Sequence, residues 1–321
     1  DVLLPLHRLG VEIPQFVDSE ADLSDRVLGL KAPWGMPDQV ALVDKVEAFR
    51  LRKGLIADSP SPLWATVEGH VCTSVETALL GESSVAKAPL SASGQHRVRL
   101  DHPSAHRWLD KHLSRGPVLI EPWYDKLIDL SVQLDIDDDG ARSVGVTRFW
   151  TTANGAYRGA VLGPWSAGVD PEILRHLHGG GRGSQINQLL KTMGEFVGAQ
   201  LHARGIRGPV GVDCMVIRQS GDVRLLPILE INPRFTMGRA AIALHRSTGL
   251  RGGWFFVTDA DLTQAGLTSR EAFIAAVNGA DALTFTTDPV AASRTLTVMA
   301  GAKHADDAQA AWADIGLPWP D

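Results

Sequence analysis

Cysteine is nearly absent: Cys72 and Cys214 are the two in 321 residues. No metal-ligand or redox spacing lies between them, and Cys214, inside the apolar run 212–217, reads as a small core residue. So little cysteine suits a reducing cytoplasm, the expected compartment. Long apolar runs are missing too. None approaches the ~20 residues that span a bilayer, so no membrane segment is expected. A surplus of basic residues is also lacking; the net charge of −6 gives no support for nucleic-acid binding. That balance leaves room for a phosphorylated ligand, because a local basic cluster can sit on an acidic chain. The histidines show no paired metal spacing on one helix face, and neither an internal repeat nor a low-complexity block is present. No signal peptide is visible, and the chain opens on Asp1 rather than Met. Residues 1–57 are therefore expected to be the tail of an N-terminal domain followed by a linker helix.

What is present is ordinary for a folded chain, with 44% hydrophobic and 21% charged residues. A length of 321 residues exceeds the roughly 250–300 at which single cores stop growing, so more than one unit is expected. Val40, Val43, Val46, Ala48 and Phe49 predict a helix over 38–53, capped by Asp38 and stopped by Gly54. Residues 56–62 read as a linker. Strands are predicted at 64–71, 84–88, 97–100 and 118–121, with helices at 74–80 and 104–113. Together they suggest a compact α+β unit.

A second unit opens with the alternating run 130–136, a turn at 137–140 and a strand at 143–151, an antiparallel hairpin continued by 155–158. Asp135-Ile136-Asp137-Asp138-Asp139-Gly140 matches half of a calcium loop. The position for the closing Glu is Val146 and the flanks read as strands, which favours a solvated turn. Residues 178–184 form a glycine-rich loop. An amphipathic helix is predicted over 185–204 with Gly205 as its cap. A second hairpin, 210–217 with 223–231, precedes a tail of helices (269–277, 306–315) and strands (254–258, 294–299).

That second hairpin ends in Glu230-Ile231-Asn232-Pro233-Arg234. Strand alternation puts Glu230, Asn232 and Arg234 on one face. A carboxylate, an amide oxygen and a guanidinium suit a magnesium ion bridging phosphates; a solvated strand end is the other reading. In Gly211-Val212-Asp213-Cys214-Met215-Val216, Asp213 interrupts an apolar strand, and a lone buried carboxylate is costly unless paired or on a metal. If the two strands are neighbours, Asp213 joins Glu230 and Asn232.

Gly-Val-Asp, a hairpin and then Glu-Ile-Asn-Pro-Arg resembles the magnesium-binding half of the ATP-grasp superfamily, in which two α+β subdomains grip one ATP. The resemblance implies a small subdomain at 58–120. It implies a large one at 121–321 that carries the metal strands and a C-terminal extension. Further pieces fit in order. Lys87, in Val85-Ala86-Lys87-Ala88-Pro89, resembles the lysine that reaches the phosphates. Ser91, Ser93 and Gly94 occupy the place of the phosphate-closing loop, with one glycine where relatives have several. Glu121-Pro122-Trp123-Tyr124 resembles the adenine hinge, where the Pro122 carbonyl and the Tyr124 N–H would read the base edge. Asp129 falls where relatives hold the ribose hydroxyls, and Lys45 resembles the first phosphate lysine. The likeness covers roughly residues 40–245.

It also implies a chemistry. ATP with one or two magnesium ions (or manganese) would drive the joining of a carboxylate to an amine or similar nucleophile, small molecules or peptides, through an acyl phosphate. Asp213, Glu230 and Asn232 would hold the metal, while Lys87 and Lys45 would face the phosphates. Arg234 would stabilise the phosphoryl group in transfer. Arg148 and Arg158 are expected to face the same cleft and hold the acceptor carboxylate, with Arg239 and Arg246 lining it. Two other readings use the same site: a phosphotransferase, and a nucleotide-binding module without catalysis. Neither the substrates nor the oligomeric state can be read from these motifs.

Overall fold

The computed structural model describes residues 44–78, 83–90, 96–152, 155–179, 184–267, 269–292 and 295–320. Helix α1 (Lys45–Asp58) leads into a small four-stranded sheet. This sheet is built from β1 (His70–Cys72), β2 (Ser84–Lys87), β3 (Arg97–Arg99) and β4 (Val118–Pro122), in the order β1-β4-β2-β3. Every pairing in it is antiparallel. Helix α2 (Ala105–Leu113) covers one face, where Ala86, Val98, Leu109 and Ile120 form a core. The opposite face of β2 and β3 presents Val85, Lys87 and Arg97.

The larger unit is an eight-stranded sheet. Its first hairpin joins β5 (Asp125–Asp137) to β6 (Gly140–Thr151), and β7 (Tyr157–Leu162) extends the meander. After α3 (Pro171–His178) and α4 (Gln185–Ala203) come β8 (Gly208–Gln219) and β9 (Asp222–Asn232). Helix α5 (Met237–Thr248) leads to β10 (Arg251–Thr258), α6 (Asp259–Gln264) and α7 (Arg270–Asn278). The chain closes with β11 (Leu283–Phe285), β12 (Thr295–Ala302) and α8 (Ala305–Asp314). The strand order is β11-β12-β10-β7-β6-β5-β8-β9.

Alternation on the central strands sets the layout. Leu130, Val132, Leu134 and Ile136 of β5, with Val210, Val212, Cys214 and Val216 of β8, pack on α4 in the main core. Helix α4 reaches the sheet closely: a Cβ on Gly198 would stand 2.4 Å from the Cβ of Ala141. The intervening residues, Asp129, Ser131 and Gln133 on β5 and Gly211, Asp213 and Met215 on β8, face the other way. A separate core, with Phe255, Phe273, Trp312 and Val298, joins α6, α7 and α8 to the far strands.

Several boundaries differ from those read in the sequence. The cap of α1 is Asp44, whose carboxylate accepts the Glu47 N–H at 2.8 Å, and Asp38 lies outside the described residues. The helix runs through Gly54, which meets only the Phe196 ring, and ends at Asp58, inside the expected linker. The expected strand 64–71 is mostly extended loop; Trp64 makes one bridge to Leu225 and pairing begins at His70. Helix α5 was not anticipated, and its start is set by the Thr236 cap. Residues 137–140 form a hairpin turn, with the Asp139 N–H on Asp137 Oδ1 at 3.0 Å.

Candidate active site

The large-sheet wall depends on a break in the β8–β9 ladder. Asp213 pairs with Glu230 and Met215 pairs with Leu226, so β9 uses two more residues than β8 between those rungs. Ile228 sits in this bulge with φ of 48°, a left-handed conformation that a β-branched residue adopts only under strain. The inserted pair shifts the register of β9 against β8. Ile228 and Ile231 point into the main core, while Glu230 and Asn232 stand beside Asp213 on the open face.

A chain of hydrogen bonds fixes those side chains. Thr236 Oγ1 donates to Gln133 Oε1 at 2.6 Å, and Gln133 Nε2 donates to Ser131 Oγ at 2.8 Å. Ser131 Oγ donates to Asp213 Oδ1 at 2.6 Å. From the other side Arg234 donates to Asn232 Oδ1 at 3.3 Å, and Asn232 Nδ2 donates to Asp213 Oδ2 at 3.0 Å. Thr236 also caps α5, whose first turn, with Met237 and Gly238, opens on the same space. The hydrogen-bond partners of Asp213 are thus uncharged. Burial, and then the neighbouring Glu230 carboxylate, push its pKa up to about 7.

The facing wall is tied down by Glu121, which is 1% exposed. It bonds Lys87 Nζ at 2.7 Å on one oxygen and Arg52 NH1 on the other. Burial alone would raise its pKa; the Lys87 ammonium and the Arg52 guanidinium override this and hold it at about 2. Arg52, on α1 and fully buried, also donates to the Ile228 carbonyl through Nε at 3.2 Å and NH2 at 3.0 Å. One guanidinium therefore links the lysine strand to the bulge of the carboxylate strand. Lys45, at the start of α1, donates to the Pro89 carbonyl through its N–H at 3.0 Å and pairs with Glu230 at 3.1 Å.

Between the walls lies a cavity of about 790 Å³. Lys45, Lys87, Asp213, Glu230, Asn232 and Arg234 line it, and so do Pro122, Trp123, Tyr124 and Asp129. The Trp123 N–H is taken by the Ser83 carbonyl at 2.6 Å. Asp129 holds Lys126 Nζ at 2.5 Å and accepts from Thr151 Oγ1 at 3.0 Å.

The other expected residues are placed differently. Ser91, Ser93 and Gly94 lie outside the described residues. Glu121 stands behind the wall rather than in the cavity. Arg148 needs correction: its register partner is Leu130, so it shares the core-facing side of the sheet, whereas Phe149, opposite Asp129, takes the cleft side. Its NH2 donates to the Ala167 carbonyl at 2.7 Å and its guanidinium lies over Trp150. The same alternation turns Arg158 away, to pair with Asp261 at 2.6 Å beside a separate cavity of about 220 Å³. Arg239 binds Asp135 at 2.8 Å and Arg246 the Val144 carbonyl at 2.7 Å, and neither lines the cleft. Sequence reasoning missed Arg52, Arg97, Lys126 and Ser131. A charged residue among the buried positions of α1 was the one available signal, and it pointed to Arg52.

Among the described residues no three His, Cys, Asp or Glu side chains gather around one metal position. Asp213, Glu230 and the Asn232 amide are an incomplete donor set. Such a set suits magnesium, which retains water and shares phosphate oxygens, and two adjacent carboxylates fit a divalent cation between them. Asn232 Oδ1, now accepting from Arg234, would have to turn to join such a set.

No family profile and no curated protein matches the chain. Solved structures do. N5-carboxyaminoimidazole synthetase from Staphylococcus aureus, complexed with ADP, is similar over 88% of this chain and 74% of its own, with a TM-score of 0.56 at 10% identity. Biotin carboxylase from Campylobacter jejuni, in a β,γ-ATP complex, is similar over 86% and 67%, with a TM-score of 0.54 at 12% identity. N5-carboxyaminoimidazole ribonucleotide synthetase from Thermus thermophilus is similar over 87% and 74%, with a TM-score of 0.51 at 12% identity. At these identities the likeness is one of fold. No helix of the described residues is long and apolar enough to cross a membrane.

Proposed function

The chain has the ATP-grasp fold, and from that premise we propose that it is an ATP-dependent ligase joining a carboxylate to an amine or similar nucleophile. The observation that carries the reading is the pairing of walls. Asp213, Glu230, Asn232 and Arg234 stand on one side of a cavity of about 790 Å³, and Lys45 and Lys87 line it as well. The two structural neighbours named above with a nucleotide, a synthetase with ADP and a carboxylase in a β,γ-ATP complex, support the same reading.

In this reading the Tyr124 N–H and the Pro122 carbonyl hold the adenine edge, and Asp129 exchanges its Lys126 and Thr151 contacts for ribose hydroxyls. Asp213, Glu230 and Asn232 would hold a magnesium ion, which would supply neutralisation of phosphate charge. Lys87 and Lys45 add positive charge, each held in place by a carboxylate. The acceptor carboxylate oxygen attacks the γ-phosphorus, the bond to the β-phosphate oxygen breaks, and ADP leaves. Arg234 faces the charge on the phosphoryl group as it moves. The amine then attacks the acyl carbon, phosphate departs, and the amine proton passes to solvent. Positioning and charge do most of the work, which is what two rigid walls provide.

The test is ADP release from ATP and magnesium with panels of carboxylic acids and amines, followed by mass analysis of the product. A ligase releases ADP at an appreciable rate only when both an acid and an amine are present. Release with one acceptor alone would favour a phosphotransferase on the same site, and nucleotide binding without turnover would favour a binding module. A protein that binds neither ATP nor ADP would overturn the nucleotide reading altogether.

A further inference from the structure

Arg97 is held differently from the lysines of the cleft. Lys45, Lys87 and Lys126 each have a carboxylate partner, at 3.1, 2.7 and 2.5 Å. Arg97 has none among the described residues, although it is half-buried and lines the cavity. It sits on β3 directly opposite Lys87, on the same face of the small sheet. Its guanidinium lies over the Trp123 ring, 5.0 Å from the centroid, immediately beside the hinge residues Pro122 and Tyr124. Gly155 comes so close that a Cβ there would stand 2.8 Å from one terminal nitrogen and 2.9 Å from the other. The neighbouring Arg99 also touches Trp123 but is held bidentate by Asp101, at 3.1 and 2.7 Å. Desolvation accordingly lowers the Arg97 pKa with no partner to oppose it.

The Arg97 guanidinium, over the Trp123 ring, borders the same cavity as the hinge residues Pro122 and Tyr124. The wall around it includes Val85, and Met215 and Leu229 line the same cavity from the large sheet. Resting on the nucleotide reading above, we propose that Arg97 stacks on the face of the nucleotide base, forming with Trp123 a cation–π platform that fixes the base in the hinge. The electron-rich base supplies what the protein withholds from this guanidinium, a partner for its charge.

The experiment is calorimetric titration of ADP, adenosine and magnesium pyrophosphate into wild type, Arg97→Gln, Arg97→Lys and Lys87→Ala. Arg97 is on an edge strand and half-exposed, so circular dichroism and melting temperature should be unchanged in its variants. Stacking predicts that Arg97→Gln weakens ADP and adenosine by the same factor, on the order of tenfold, with pyrophosphate unaffected. Arg97→Lys, which keeps charge but not the plane, should lose nearly as much. Lys87→Ala should instead weaken ADP and pyrophosphate and spare adenosine. A loss in Arg97→Gln confined to ADP and pyrophosphate would overturn the inference in favour of a phosphate contact. Unchanged binding of all three would overturn it outright. Absence of ADP binding to wild type would overturn the nucleotide reading and this inference with it.

Discussion

Replacing Arg52 with Met tests the coupling of the two walls. The side chain is 0% exposed, and Met keeps an apolar stem without its charge or its donors. Two losses follow. Glu121, 1% exposed, keeps Lys87 but loses its second cation, and breaking a buried ion pair by removing one partner costs about 3–5 kcal/mol. The Ile228 carbonyl loses both guanidinium donors, and a buried acceptor left short of partners costs about 1–3 kcal/mol. The losses share one cavity and are not additive, so we expect about 4–5 kcal/mol in all, a large part of the roughly 5–15 kcal/mol typical of a folded protein. Arg52→Lys should recover part of this, because one ammonium can reach Glu121 but not the forked geometry at Ile228. Urea unfolding followed by tryptophan fluorescence gives the number, and Glu121→Gln combined with Arg52→Met gives the coupling. In the double variant the cost should fall short of the sum by about 2 kcal/mol. A loss under about 1 kcal/mol for Arg52→Met, or strict additivity, would refute the argument.

Glu230→Gln should abolish ADP formation with the fold intact; wild-type turnover would remove Glu230 from the site. Asp213 carries a pH signature. Its folded pKa, about 7, lies above the usual carboxyl value of 3.8, so the stability it confers is present below about pH 4 and is lost as pH rises through about 7. With a chelator present, Asp213→Asn should therefore be more stable than wild type at pH 8 and no more stable at pH 4, and magnesium should stabilise wild type but not the variant. Glu121 behaves oppositely. Its pKa, held at about 2, gives stability present above about pH 4.5 that disappears as pH falls through about 2. The acid limb of a denaturation profile should lose this component in Glu121→Gln. Arg148→Met should leave kcat and KM within about twofold of wild type; a tenfold loss of kcat at unchanged melting temperature would return Arg148 to the cleft.

The central strands were legible because they follow one rule. A strand buried on its α4 side and polar on the other reads directly from alternation, and a shared face for Asp213 and Glu230 needed only the adjacency of two strands joined by a hairpin. Lys87 was visible for the same reason, as a charge in an apolar run. Arg148 failed under that very rule. Nothing in Thr147-Arg148-Phe149 says which face is open, and a guanidinium can lie in a core when a carbonyl and an indole receive it. The assignment needed the register to β5, which a sequence does not state.

The bulge at Ile228 shows the limit most clearly. From Asp222 to Asn232 the sequence reads as one strand interrupted only by Pro227, and strict alternation from Leu225 or Leu226 would set the register without an inserted pair of residues. A left-handed Ile is disfavoured locally, and Pro227 before it, which cannot donate to the ladder, was the one local signal of a break. What makes it tolerable is remote in sequence. Arg52, 176 residues away, grips the Ile228 carbonyl twice, and the same guanidinium fixes Glu121 and through it Lys87. The strain in the bulge and the burial of Arg52 are thus two sides of one arrangement. Setting Glu230 rather than Ile228 opposite Asp213 requires the bulge. Holding the bulge requires a cation in the core, and neutralising that cation brings the lysine strand to the opposite wall. Ile228→Gly gives this argument a sharp form. Glycine removes the conformational penalty while keeping the carbonyl, so at an otherwise tolerant site it would stabilise; here it also deletes a fully buried side chain worth about 3–4 kcal/mol. Arg52→Met in the Ile228→Gly background should then cost less than in wild type, because a relaxed bulge no longer needs the clamp. An equal cost in both backgrounds, measured by urea unfolding, would separate the strain from the clamp and end this account of why the two occur together.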